Sequence, residues 1–435
     1  MSRFRRRVVV TGLGAVSPIG LDAPSTWKNC LAGENGVRSV NFFGTEAWPV
    51  RIGAEVRNFE FSRYEHDSFR PLIPYLPRGL KYGLAAAEEA MADAGLNENS
   101  LSPHRFGLSM GAFNECPSLA EMNNWWRLER DFDPPRYFPV DDRMDLWISQ
   151  VSSARGLCQR WRCGGPYYVM SAACASGTMS QGAAFRTIRR GKADVMLAGG
   201  FDGMVEQTTC LSFALLGALS TQNDEPGKAV RPFDLCRNGF VLGEGAAVLV
   251  FEELEHALQR GARIYAEVAG YASTMASESI TDMTPNGSHQ GKAMSLAVAD
   301  AMLEPTEINY INAHGTSTRA NDVSETRAIR RAFGAHADKI AVSSTKSMVG
   351  HLLHSAGAIE GLLTVLAIRD QVAPPTINYE HADPECDLDY VPNVARPLTI
   401  DAACSNSFAF GGNNATILYR RYCGASARTA VEMVR

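Results

Sequence analysis

The sequence predicts an α/β fold, and three observations carry that prediction. Apolar, β-branched runs end in glycines or polar residues, as buried strands do; helical stretches separate them; and the alternation persists along the chain. RVVVTGLG (7–14) reads as a buried parallel strand, and RGLKYGLAAAEEAMADAG (78–95) as a helix stopped by Gly95. GTMSQGAAFRTIRRG (177–191) is helical and ADVMLAGG (193–200) is a strand. GEGAAVLVFEELEHALQRG (243–261) passes from strand to helix, and RIYAEVAGYAS (263–273) is a further strand. INYINAHGT (308–316) and KIAVSSTKS (339–347) are strands ending in polar residues, and GHLLHSAGAIEGLLTVLAIRD (350–370) is a long apolar helix. The pattern implies mostly parallel sheets covered on both faces. A division near residue 264 has no Pro- or Ser-rich linker, which favours two fused halves over a flexible tether. No internal repeat is visible, and GASARTAVEMVR (424–435) reads as a loose tail.

With 435 residues the chain can bury one large or two fused cores. A net charge of −5 gives no global attraction to nucleic acid or to an anionic membrane, so electrostatic docking must be local. No apolar run is long enough to span a bilayer. The apolar stretch at the N-terminus is broken by Gly12, Gly14 and Pro18, so it does not read as a signal peptide. Ten scattered cysteines without a CxxC pair argue against a zinc ribbon or a dithiol redox motif and fit a reducing compartment, so a cytoplasmic location is expected.

Within SAACASGTMSQG (171–182), Cys174 sits among small residues just before a helical pattern. A thiol at a helix N-terminus can be acidified by the dipole, to a pKa of roughly 3.5–7.5, and small neighbours admit a thioester. The segment alone leaves a nucleophile and a tightly packed structural cysteine equally open. His314 in NAHGTST and His351 in STKSMVGHLLHSAGA follow strands, where α/β proteins assemble sites. His354 reads as a helix-surface neighbour of His351. Lys346 and Glu325 could hold site charge or make surface pairs, and SNSFAFGGNNAT (405–416) could bring backbone N–H groups near a ligand. Cys174, His314 and His351 could in principle ligate zinc, but no fourth ligand or supporting carboxylate is evident, so no metal is expected. TGLGAVS (11–17) imitates the start of a dinucleotide fingerprint, yet Ser17 stands where the third glycine belongs.

Together, ACASG, PFDLCRNGFVLGEGAAVLVFEELEHALQRGA, NAHGTST, SSTKSMVGHLLHSAGA and FAFGG, in this order, resemble the β-ketoacyl-acyl-carrier-protein synthases of the elongating Cys-His-His class. The resemblance implies a thiolase fold, with two similar halves (1–263 and 264–423) forming a five-layered αβαβα core, and a cytoplasmic homodimer or a heterodimer with a chain-length partner. It implies that Cys174 takes an acyl chain from the phosphopantetheine of acyl carrier protein and condenses it with malonyl carrier protein, without a free cofactor, in fatty-acid or polyketide synthesis. A catalytic subunit of a heterodimeric polyketide or polyene synthase and a non-catalytic scaffold are the rival readings.

On the same resemblance, His314 and His351 stabilise the enolate, Lys346 and Glu325 support them, and Thr316 and Thr318 contact the pantetheine arm. Phe408 and Phe410 bind substrate, and the N–H groups of Phe410 and Cys174 form an oxyanion hole. Two departures stand out. Asp67 and Ser68 dilute the basic cluster expected over 63–71, for which Arg186, Arg189 and Arg190 could compensate. Residues 113–150, with Trp125 and Trp126, are the least family-like and are expected to set the acyl chain and partner accepted.

Overall fold

The computed structural model describes residues 6–40, 48–70, 73, 76–113, 154–278 and 283–424. Ten strands form one hydrogen-bonded sheet: β1 (Val8–Val16), β2 (Phe106–Gly111), β3 (Tyr167–Met170), β4 (Val195–Asp202), β5 (Gly245–Glu253), β6 (Ala266–Met275), β7 (Tyr310–Asn312), β8 (Ala341–Ser343), β9 (Ala402–Phe408) and β10 (Asn413–Arg420). Their spatial order is β8-β7-β9-β10-β6-β1-β5-β4-β2-β3. Counted outwards from the middle, each half therefore has the same plan, first, fifth, fourth, second and third strand. The halves meet where Val8–Val10 pair with Ala266–Val268, antiparallel. A repeat invisible in the residues is thus explicit in the topology, because strand order depends on which faces are apolar rather than on particular side chains.

The sheet is mixed, which corrects the expectation of mostly parallel pairing. β2 runs parallel to β3 and β4, but β5 is antiparallel to both β4 and β1, and β10 repeats this between β9 and β6. The strand-helix alternation that implied parallel pairing fails between β4 and β5. There the helix α3 (Gln207–Leu215) buries only Thr209 and Cys210, so it does not cover the sheet as a crossover helix would.

The helices complete five layers. α1 (Arg78–Asp93) packs on the outer face of β1 and β5, while α4 (Ser288–Asp300) packs on β6 and β10 and carries α5 (Arg319–Phe333) against it. Between the two half-sheets lie α2 (Ser176–Arg189) and α6 (Ala356–Asp370), in contact with each other. The glycines that imitated a nucleotide motif are packing residues. A Cβ on Gly14 would lie 1.9 Å from the carbonyl oxygen of Ala86, and one on Gly12 2.2 Å from that of Ala90, so the alanine face of α1 rests directly on the β1 backbone. In the central layer, Gly177 faces the backbone of Ala358 and Gly357 faces that of Thr178, each with room for no side chain.

The predicted helix over 350–370 begins only at Ala356. Gly350 (φ +71°) and Leu353 (φ +44°) lie outside the right-handed helical region, and His351 instead bridges to Leu242. Among the described residues, no helix is long and apolar enough to cross a membrane.

Candidate active site

Cys174, His314 and His351 come from three different strand-to-helix connections, after β3, β7 and β8, and the structure brings them together. One ligand-type atom from each lies within 4.8 Å of the others, and all three residues are buried. The imidazoles stand at 82° with centroids 5.4 Å apart. They close the inner end of a cavity of about 680 Å³ that Thr316, Thr318, Phe408 and Phe410 also line.

The turn that presents the thiol is strained. Ala173 has φ +47°, a conformation costly for a residue with a side chain. Ser176 holds it there: its hydroxyl donates to Ala173 O at 2.6 Å and accepts from Ala172 N–H at 2.8 Å. Cys174 lies two residues ahead of α2, as the sequence suggested, but its ionisation moves the other way. Burial pushes the thiol up to about 12, and the nearby Lys346 charge offsets only part of that. The expected acidified cysteine is therefore a neutral thiol, because desolvation outweighs the favourable charge and hydrogen bonding.

Each imidazole is neutral and its tautomer is fixed. Burial holds His314 and His351 well below the usual histidine range, assisted for both by the positive charge of Lys346. The Lys346 ammonium donates to His314 Nδ1 at 3.2 Å, and Leu353 N–H donates to His351 Nδ1, also at 3.2 Å. The proton of each ring thus resides on Nε2. His351 Nε2 is buried and has no hydrogen-bond partner. A buried donor without an acceptor is costly unless something else fills that role, and a substrate oxygen would do so.

Glu325 and Lys346 play different structural parts. The Glu325 carboxylate accepts from the backbone N–H groups of His314 (2.9 Å) and Gly315 (2.8 Å), so it anchors the loop rather than the ring. Lys346 is ion-paired with Glu360, both side chains being 1% exposed. Sequence reasoning passed over Glu360 as part of an apolar helix; its signal was being the lone acid within AIEGLLTVLAI. His354 was also misread. It is buried, its Nδ1 lies 2.8 Å from Asp202 Oδ2, and its ring stacks on Phe113 at 5.1 Å.

Thr318 caps α5, and its hydroxyl lies 2.9 Å from that of Thr316. Between them Ser317 takes φ +66°, which turns both threonines to the cavity wall. Phe410 opens a tight turn in which a Cβ on Gly412 would fall 1.8 Å from Ala276 O, so this turn needs glycine to approach its neighbour. The three site groups make a poor zinc centre. A buried ammonium beside His314 opposes a second cation, and His351 Nδ1 is supported by a backbone N–H rather than by a carboxylate. Residues 114–150 of the divergent segment, including Trp125 and Trp126, lie outside the described residues.

A neutral thiol facing two oriented imidazole donors, at the end of a cavity in a two-halved five-layer fold, defines an acyl-transferring condensing enzyme. The chain matches "Beta-ketoacyl synthase, N-terminal domain" over residues 5–257 and "Beta-ketoacyl synthase, C-terminal domain" over 265–380, and it belongs to that family. It is 42% identical over 419 residues to 3-oxoacyl-[acyl-carrier-protein] synthase 2 of Synechocystis, spanning 96% of this chain and 99% of that one. It is 40% identical to the putative polyketide beta-ketoacyl synthase 1 of Streptomyces cyaneus, over 95% and 97% of the two chains. Among solved structures it resembles a chain of a type II PKS acyl-carrier protein in complex with its ketosynthase bound to the hexaketide. That match has a TM-score of 0.86 at 34% identity, and covers 96% of this chain and 100% of the other.

Proposed function

We propose that the protein catalyses decarboxylative condensation of an acyl chain, held as a thioester on Cys174, with malonyl-acyl carrier protein. The observation that carries this reading is the pair of Nε2–H donors, fixed by Lys346 and by Leu353 N–H, beside a single buried thiol. In the first half-reaction the Cys174 sulfur attacks the carrier thioester, and the thiol proton passes to the departing pantetheine sulfur. The N–H groups of Cys174 and Phe410 serve the tetrahedral oxyanion. In the second, the malonyl carboxylate leaves as CO2, and its bonding electrons form an enolate whose oxygen accepts from His314 and His351. The enolate carbon attacks the acyl-cysteine carbonyl and expels the Cys174 thiolate, which takes a proton from solvent to replace the one that left with the pantetheine thiol.

Neutral donors suit this task, because they stabilise charge only as it develops. Lys346, Glu360 and Glu325 act as positioning residues. Thr316 and Thr318 bind the pantetheine arm, while Phe408 and Phe410 bind the thioester and acyl end. Residues 1–263 and 264–423 work as two halves with 424–435 as a tail. Acyl groups arrive on carrier-bound phosphopantetheine, so no free cofactor is needed. Relatives named for fatty-acid-type and for polyketide synthases support elongation in one of these pathways, by a homodimer or a heterodimer with a chain-length partner. Nine described cysteines, all free thiols, support a cytoplasmic setting.

Intact-protein mass spectrometry after incubation with acyl carrier proteins of different chain lengths tests the reading. An adduct on the wild type that is absent from Cys174→Ala is expected; acylation of the variant would overturn the assignment of the nucleophile.

A further inference from the structure

The rim of the active-site cavity has a composition that the catalytic reading does not use. α3 presents Leu211 and Leu215, one helical turn apart, to solvent, and Leu216 follows at the cavity wall; Leu215 is 80% exposed and Leu216 59%. Beside the cavity lies an adjoining hollow of about 350 Å³, lined by the exposed Leu235 and by Arg319, which also lines the cavity itself. Arg319 is exposed and forms no ion pair among the described residues. Its neighbours are already matched: Arg237 pairs with Asp322 and Asp383, and Arg327 with Glu385.

Most of the basic groups expected to receive a partner are engaged, and Arg190, exposed and without an ion pair among the described residues, is the exception. Arg63 pairs with Glu60 and Arg70 with Asp67. Arg189 is bound to Asp300, and Arg186 lies over the Tyr271 ring at 4.7 Å. Arg189 is thus neutralised by an acid, whereas Arg186 keeps its charge against the face of a neutral ring.

We propose that acyl carrier protein docks on this rim through an apolar contact centred on Leu211, Leu215, Leu216 and Leu235, with Arg319 meeting one acidic group near the root of the arm. The inference rests on the reading that thioesters reach Cys174 through this cavity. A substrate tethered to a protein domain can enter only if that domain sits on the mouth, and the mouth is leucine-rich, with Arg319 the cation that lacks an ion pair among its described residues. An exposed apolar cluster bordering a substrate passage is a surface that a partner covers. Contact of this kind depends weakly on ionic strength, unlike docking on a basic patch.

The test compares malonyl-carrier protein with malonyl-pantetheine, which lacks the carrier domain, on wild type and on Leu211→Glu/Leu215→Glu. Neither residue lines the cavity, and both are exposed, so folding is expected to be kept and is checked by acylation of Cys174 from acyl-pantetheine. KM for the carrier substrate should rise about tenfold or more, the scale of losing an anchoring contact, with KM for malonyl-pantetheine unchanged. Wild-type KM for the carrier should change less than about threefold between low and high salt. Unchanged carrier KM in the variant, or a steep salt dependence, would overturn the proposal. So would a change in oligomeric mass on substitution, which would make the ridge a contact between copies of this chain. Failure of acyl-pantetheine to acylate wild-type Cys174 would instead count against the proposed function, leaving a separate binding measurement with carrier protein to decide the docking.

Discussion

Lys346 Nζ donates to His314 Nδ1 across 3.2 Å, and this contact ties a buried charge to the direction of a catalytic proton. Glu360 keeps that ammonium in place, although burial pushes its own carboxyl up to about 7. Glu360→Gln should therefore leave an uncompensated buried cation and lower unfolding free energy by about 3–5 kcal/mol in urea denaturation. Lys346→Met/Glu360→Leu should regain most of that stability but not decarboxylase activity, since nothing then selects the His314 tautomer. A double variant as unstable as the single one would show that the pair itself, not the orphaned charge, carries the energy.

His314→Ala and His351→Ala should each lower malonyl decarboxylation by about 10²-fold or more, the typical loss of one oxyanion donor. Acylation of Cys174 should fall far less. His351→Gln keeps an N–H donor and should retain more activity than the alanine variant. Release of CO2 measured separately from acyl-enzyme formation distinguishes these roles.

A thiol raised to about 12 by burial ionises tenfold more for each unit of pH below that value. Iodoacetamide alkylation of Cys174, followed by peptide mass spectrometry, should accelerate steadily from pH 7 to pH 9.5 without a plateau. The stability linkage has a definite sign. The folded thiol keeps its proton above the ordinary cysteine pKa of about 8.5 while the unfolded one loses it, so this residue withdraws stability as pH rises past that point. A plateau near neutrality would mean that the dipole and Lys346 outweigh burial.

Gly14→Ala places a methyl 1.9 Å from the Ala86 carbonyl oxygen, and α1 must move off β1 to admit it. Overpacking in cores costs about 1–3 kcal/mol, and backbone-to-backbone contact leaves no flexible side chain to yield, so a loss near or above the top of that range is expected in thermal unfolding. Gly217→Ala is the comparison. That glycine has open space around it, so its cost is confined to the strain of φ +65°.

Much of the site was legible because its residues are local signals. A cysteine in a small-residue run before a helix, and histidines just after strands, made Cys174, His314 and His351 candidates, and the ordered motifs around them, through their family resemblance, turned the candidates into a site. What escaped is set by contacts between distant segments. Glu360 looked like an impurity in an apolar helix until Lys346 was found against it. His354 looked exposed because the phase of an α-helix starting at Gly350 would turn it outward; the chain instead makes a short 3-10 turn over Leu353–Ser355, and Asp202 receives it. The direction of the Cys174 shift followed from burial, which no spacing reports. β5 and β10 joined their sheet halves antiparallel for a reason that lies in their loops, not in their own apolar runs.

The repeated strand order reaches into the chemistry through the two central helices. Ala173, Cys174 and α2 beginning at Ser176 correspond step for step to Leu353, His354 and α6 beginning at Ala356. The left-handed residues match, at φ +47° and +44°, as do the reciprocal glycines Gly177 and Gly357. The bent turn is therefore no invention for holding a nucleophile: the copy without a thiol keeps it, to let two helix ends touch. One of the twin corners carries sulfur and the other an imidazole anchored to Asp202. The thiol belongs to one half and both imidazole donors, His314 and His351, to the other, so neither half alone holds the reacting set.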